Sequence, residues 1–232
     1  MIDLVGAPRR HEINEYAIKF LIGAIAFGLP LVEWLLAGSS DDFTSISASF
    51  WIELPAWSHG LWPRNIFVGS LIAIAALLLT YNGWTEGEMW LTKLASLAAL
   101  LIAMFPCWCG CDGHEIVKGV HGVCAGVLFL VLATFCDIFR RRAMDKHRRE
   151  HHPQPKWRAW IYSACGGVML LSVALFACGA VYDFRLRILV AEWMGLWAFA
   201  VSWLTASHMV PVINRPAERE YLFRKTPAAG QH

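Results

Sequence analysis

Six apolar runs divide the 232-residue chain, and each is about as long as a helix needs to be to cross the ~30 Å hydrocarbon core of a bilayer. They fall at about 17–38, 65–81, 90–106, 117–139, 159–181 and 187–208, with Lys93 making the third the least regular. Backbone N–H and C=O groups find no water at that depth, so a spanning segment must satisfy them internally, as a helix or as part of a closed barrel. Runs of this length specify helices. The expected fold is all-α: a polytopic membrane protein whose residues 1–232 form a single domain, with six transmembrane helices in one bundle. Composition agrees, since 57% of the residues are hydrophobic, only 16% are charged, and the mean hydropathy is +0.46. Soluble domains carry about 25% charged residues, so a water-soluble fold is excluded.

Charge placement sets the expected orientation. The stretch RRRAMDKHRREHHPQPKWR, residues 140–158, holds eight Lys/Arg and reads as the loop after the fourth span. Arg215, Arg219, Arg224 and Lys225 near the carboxyl end, and Arg9 and Arg10 near the amino end, fall on the same side if there are six spans. Basic connections stay cytoplasmic, so both termini are expected there. Residues 1–16 are polar and the first apolar run continues past signal-peptide length, so no removed leader is expected. The opposite, outer side carries Arg64, Lys118, Arg185 and Arg187 against Asp41, Asp42, Glu53, Asp112, Glu115 and Asp183. The basic run could bind anionic lipid headgroups or nucleic acid, but topology explains it without either partner, and no nucleic acid is expected. The expected location is a bacterial inner membrane in preference to a eukaryotic endomembrane.

The unusual residues collect on that outer side. The connection 39–64 carries Phe43, Phe50, Trp51, Trp57 and Trp62, which suit an interfacial lid folded over the helix ends. Ser45, Ser47 and Ser49 alternate, so in an extended segment their hydroxyls line one side, where they coordinate a headgroup or cap helix ends. No histidine or lysine stands near them in sequence to activate a nucleophile. Arg64, opening the second span, either snorkels or offers a fork of donors to a phosphate. Glu33 and Glu192, each followed by Trp, lie inside apolar runs near their outer ends. An ionisable group in hydrocarbon costs about 3 kcal/mol on insertion scales, so each is expected to face the bundle interior and find a partner in Arg64, Arg187 or His121. Such a pair serves equally as a structural clamp or as a pocket. Asp137, beside Arg140–Arg142, reads as a solvated boundary residue.

The segment CWCGCDGHEIVKGVH, residues 107–121, gathers Cys107, Cys109, Cys111, His114 and His121, donors suited to zinc or copper. Its spacing lacks the paired C-x₂-C of structural zinc sites, and a disulfide or plain thiols remain the competing reading. Cys124, Cys136, Cys165 and Cys178 fall within spans, where cysteine packs as a small apolar residue.

Taken together, SISASFW, PRNIFVGSL, VHGVCAGVLFL and AEWMGLWAF resemble the damage-regulated autophagy modulator (DRAM) group of six-helix membrane proteins. That group includes relatives in GPI-anchor remodelling and phospholipid asymmetry, and uncharacterised bacterial proteins of the same layout. The resemblance rests on Ser45, Ser47, Phe67, His121, Glu192 and Trp193 and implies a polar cluster on the outer or lumenal side; it implies no defined reaction. The CWCGC insertion and the aromatic first loop depart from the pattern.

The favoured reading is a non-enzymatic membrane protein whose outer-leaflet pocket binds or organises a lipid headgroup. Its pocket candidates are Ser45, Ser47, Ser49, Arg64, His121, Glu192 and Glu33, and its partners are membrane lipids. One alternative is a zinc-dependent lipid hydrolase, similar in outline to the CREST group. It would use His59, His114 and His121 with Glu192 or Asp112, although no H-x₃-H or H-E-x₂-H spacing supports it. The other is a small-solute or ion transporter, for which Gly28–Pro30 and Gly166–Gly167 allow kinks while the acids sit near one end. Small-residue faces in the fourth and fifth spans allow a homo-oligomer.

Overall fold

In the computed structural model, which describes residues 14–53, 60–107, 117, 119–178 and 186–220, all regular structure among those residues is helical. The helices are α1 (Glu15–Ala37), α2 (Trp62–Thr80), α3 (Glu86–Met104), α4 (Val120–Glu150), α5 (Pro153–Ala177) and α6 (Arg187–Ala206). Short 3₁₀ turns occupy Ser47–Phe50, Pro211–Ile213 and Pro216–Glu218. All six α-helices are long and apolar enough to cross a membrane, which makes the chain an integral membrane protein. Their outward faces agree, since Leu35, Leu79, Leu97, Val123, Leu130 and Leu170 are exposed on the bundle surface.

Local chemistry sets the helix ends. The Asn14 side chain accepts the Tyr16 N–H at 3.0 Å and opens α1. Thr85 caps α3 in a variant of the capping box: Thr85 Oγ1 accepts the Glu88 N–H at 3.3 Å, and Glu88 reaches back one residue past the cap to the Trp84 N–H at 3.0 Å. Pro63 and Pro153 sit in the first turns of α2 and α5, where their missing N–H costs nothing. Lys93 donates to the Leu79 carbonyl in the last turn of α2 and, at 2.9 Å, to Asn82.

The basic segment 140–158 is mostly helix rather than the loop its composition suggested. Its charges are spaced as helical pairs, Asp137 with Arg140 (2.5 Å) and Arg141 (2.6 Å), Asp145 with Arg148 (3.5 Å) and Lys146 with Glu150 (3.8 Å). Such pairs contribute only tenths of a kcal/mol each, enough here to carry α4 past the apolar run to Glu150. Only His151, in the left-handed region at φ 56°, and His152 join α4 to α5. Asp137 is accordingly ion-paired instead of merely solvated.

Each helix packs on the next in sequence and α6 returns to α1, closing a ring of six. Asn14 bonds Glu220 at 3.4 Å and the Tyr16 and His208 rings stack at 5.1 Å, so both described chain ends share one end of the bundle. That is the basic end; the opposite one, covered by residues 38–53, is the lid end. Near the basic end, fully buried Trp203 meets the rings of Tyr81, Phe135, Phe139 and Phe199 at 5.5–6.1 Å. Elsewhere small residues let backbones approach, and serines bond across helices: Ser96 to the Ala75 carbonyl (2.7 Å) and Ser172 to the Ala191 carbonyl (2.6 Å). Each such bond is worth about 0.6 kcal/mol in a bilayer.

Gly23 marks the closest approach of α1 and α6. A Cβ there would stand 2.8 Å from Leu204 Cγ and 3.0 Å from the Ala200 carbonyl oxygen, whereas one at Gly28 would meet nothing within 4 Å. Gly23→Ala is therefore expected to lower unfolding stability in detergent by about 2 kcal/mol, and Gly28→Ala to leave it unchanged or slightly raised.

Candidate functional site

Residues 38–53 fold back across the lid end, burying Phe43, Ile46 and Ile52. Trp51 and Arg64 fasten one side of this lid to its neighbours. Trp51 Nε1–H donates to the Cys107 carbonyl at 2.8 Å, and Arg64 Nε–H donates to the Phe50 carbonyl at 2.6 Å while its guanidinium covers the Phe50 ring at 5.0 Å. Arg64 also pairs with Glu53 at 3.5 Å.

The serine stretch is not extended. Ser47–Phe50 is a 3₁₀ turn, in which successive side chains rotate by about 120°, so residues two apart leave on different faces. Ser45 and Ser47 turn to α6, while Ser49 faces Glu33 of α1. Glu33 is fully buried, and neither its oxygens nor the Ser49 hydroxyl meets a partner in good hydrogen-bond geometry.

Glu192 lies five residues into α6, about 7–8 Å along the axis from its start. The Ser172 bond to the preceding Ala191 carbonyl fixes this turn against α5. Glu192 Oε2 accepts the backbone N–H groups of Ile46 (2.5 Å) and Ser47 (3.4 Å), and Oε1 accepts the Ser47 hydroxyl (2.6 Å). The carboxylate thus caps the lid's 3₁₀ turn from another helix, taking up donors that such a turn leaves unbonded. Ser47 spends its one proton on Glu192, so Ser45, 3.2 Å away, donates to Ser47 and itself accepts the Ala48 N–H at 2.9 Å. A carboxylate offers about four acceptor positions. Three are taken, and the fourth, on Oε1, remains for a donor.

These partners correct the expectation that arginine or histidine would neutralise the two acids. Arg187 donates instead to the Leu175 (2.7 Å) and Phe176 (3.0 Å) carbonyls in the last turn of α5, which have no helical donor and form the negative end of the helix dipole. Arg64 is likewise spent on the Phe50 carbonyl and Glu53. His121 sits in the first turn of α4, entered through Gly119 at φ 82°, and its Nδ1 lies 2.9 Å from the Phe105 carbonyl closing α3. A carbonyl only accepts, so Nδ1 carries the proton.

Beneath the lid, α4, α5 and α6 border a cavity of about 540 Å³ that opens to the bundle surface beside Val123. Ser45, Ser47, His121 and Glu192 form its polar wall, and Val123, Phe129, Val173, Phe176 and Ile188 its apolar wall; among the described residues no Lys or Arg lines it. Cys107 also reaches it. Of the sequence candidates, Ser49, Glu33 and Arg64 stand outside this lining. Cys109, Cys111 and His114, with His59 and Asp112, lie outside the described residues. Among the described residues no group of three His, Cys, Asp or Glu could hold a metal ion. Sequence reasoning missed Ser172, for which a lone serine in an apolar run was the available signal. It also missed the backbone donors of the lid, which leave no signal at all.

Comparison with protein-family models, curated proteins and solved structures finds no match to this chain.

Proposed function

We propose that this membrane protein binds a lipid whose headgroup carries N–H or O–H donors, seated against Glu192 beneath the lid. The observation that carries this reading is the pairing of one acceptor position on a carboxylate with a wall of apolar side chains, in a cavity that no Lys or Arg among the described residues lines. A carboxylate suits an ammonium or hydroxyl donor and repels a phosphate. Val123, Phe129 and Phe176 offer the adjoining acyl chain an apolar path. The phosphate expected at Arg64 loses its support, because that guanidinium is engaged at Phe50 and Glu53. With the basic end cytoplasmic, the cavity would open at the outer leaflet. Membership of the DRAM-like group belongs to the same proposal, supported by Ser45, Ser47, His121 and Glu192 sharing one cavity. Of the hydrolase alternative's candidates, His121 and Glu192 are the ones among the described residues that line that cavity.

Native mass spectrometry of the protein taken from mixed nanodiscs tests the reading. Phosphatidylethanolamine, with ammonium N–H donors, should be retained about tenfold over phosphatidylcholine, which has none, the ratio expected for one charge-assisted hydrogen bond. Glu192→Gln should remove the preference, and Arg64→Ala should keep it. Equal retention of the two lipids by the wild type would refute the proposal.

A further inference from the structure

A second cavity, of about 600 Å³, opens at the basic end and is lined by Lys19, Arg142, Lys146, Arg149 and Arg158, with Asp145 the only carboxylate in the lining among the described residues. We propose that it is a binding site for a phosphate group, independent of the lid-end cavity and of the function proposed for it.

Lys19 and Arg158 are only 4% and 2% exposed, so they are held where water solvates them poorly and an anion is needed. The internal anions are few and shared. Glu218 is shared by Lys146 (3.2 Å), Arg158 (3.2 Å) and Arg215 (2.8 Å), with Glu150 also pairing Lys146 (3.8 Å) and Arg215 (2.7 Å), while Glu15 pairs with Lys19 (3.5 Å) and Glu88 with Arg142. Asp145 pairs with Arg148 at 3.5 Å.

The donors are also oriented. Arg158 Nη1 is fixed by Asn214 Oδ1 (2.6 Å) and His208 Nε2 (3.2 Å), and the Arg142 guanidinium lies over the Trp84 ring at 4.1 Å. Planar guanidinium forks beside flexible ammonium groups match the several oxygens of a phosphate. The recess has the volume of a small-molecule site, too small for a nucleic-acid or peptide surface. The phosphate comes either from a lipid headgroup or from a soluble ester, and the two are separated by experiment.

The full chain in phosphatidylcholine nanodiscs is titrated with glycerol 3-phosphate in one arm and prepared with added phosphatidic acid in the other, with thermal stabilisation as the readout. Saturable stabilisation in the first arm identifies a soluble ester; stabilisation in the second alone identifies a headgroup. In whichever arm responds, Arg149→Gln should weaken binding about tenfold, and Glu218→Gln, which removes a competing carboxylate, should tighten it several-fold. Arg148→Gln, one residue along α4 and outside the lining, should change it by less than about twofold. No stabilisation in either arm, or equal effects of Arg148→Gln and Arg149→Gln, would overturn the proposal.

Discussion

Trp203→Ala is expected to lower unfolding stability by about 3–4 kcal/mol, measured by denaturation in detergent. Trp203 is fully buried and touches four aromatic rings contributed by α4, α6 and the end of α2, so truncation opens a void that no single neighbour can fill. Inside a bilayer the loss falls on packing contacts instead of apolar transfer from water, because lipid is as apolar as the core. Trp203→Phe separates the two components of the side chain. The indole N–H has no acceptor among the described residues, so phenylalanine keeps an edge-to-face ring and sheds an unbonded donor. Its expected cost is below about 1.5 kcal/mol. A comparable loss in both variants would mean that the ring cluster is not what holds this end of the bundle.

Acidification is expected to cost up to about 3 kcal/mol between pH 7 and pH 4, through His208. This residue lies beyond α6, which ends at Ala206. Burial, followed by the nearby Arg158 and Lys19 cations, pushes its imidazole from the ordinary value near 6.5 down to about 4, with Lys146 adding and Glu218 opposing. Neutral His208 accepts from Arg158 and stacks on Tyr16. Between about 6.5 and 4 the unfolded chain binds a proton that the folded chain refuses. The contribution is therefore complete above 6.5 and is lost as the pH falls toward 4. His208→Gln keeps an acceptor for Arg158 without titrating. Thermal melts of the wild type and of this variant should run parallel above pH 6.5 and diverge below it; parallel curves throughout would remove His208 as the cause.

The six spans were legible because membrane insertion writes itself into length and hydropathy: the expected 17–38 and 187–208 became Glu15–Ala37 and Arg187–Ala206. The largest departure, α4 running on to Glu150, came from reading charge as loop when helical spacing of Asp137, Arg140 and Arg141 was already present. For the candidate site, Ser45, Ser47, His121 and Glu192 were recognisable as polar residues in costly positions, and they do meet at one cavity. Their partners were not recognisable. Glu192 is satisfied by backbone N–H groups some 145 residues earlier in the chain, and every residue type supplies those equally. Ser49 and Arg64 parted from the group because a 3₁₀ turn replaced the extended segment, and because carbonyls at helix and turn ends compete for guanidinium donors. The basic-end cavity went unread for a similar reason. Its cations come from three helices, and in sequence they were indistinguishable from topological charge.

The most direct measurement is a density map of the protein in nanodiscs containing phosphatidylethanolamine. Elongated density beneath the lid is expected, with its polar end in hydrogen-bond reach of Glu192 Oε1 and its tail along Val123, Phe129 and Phe176. A cavity holding only water, or a lipid whose headgroup lies away from Glu192, would contradict the proposed function.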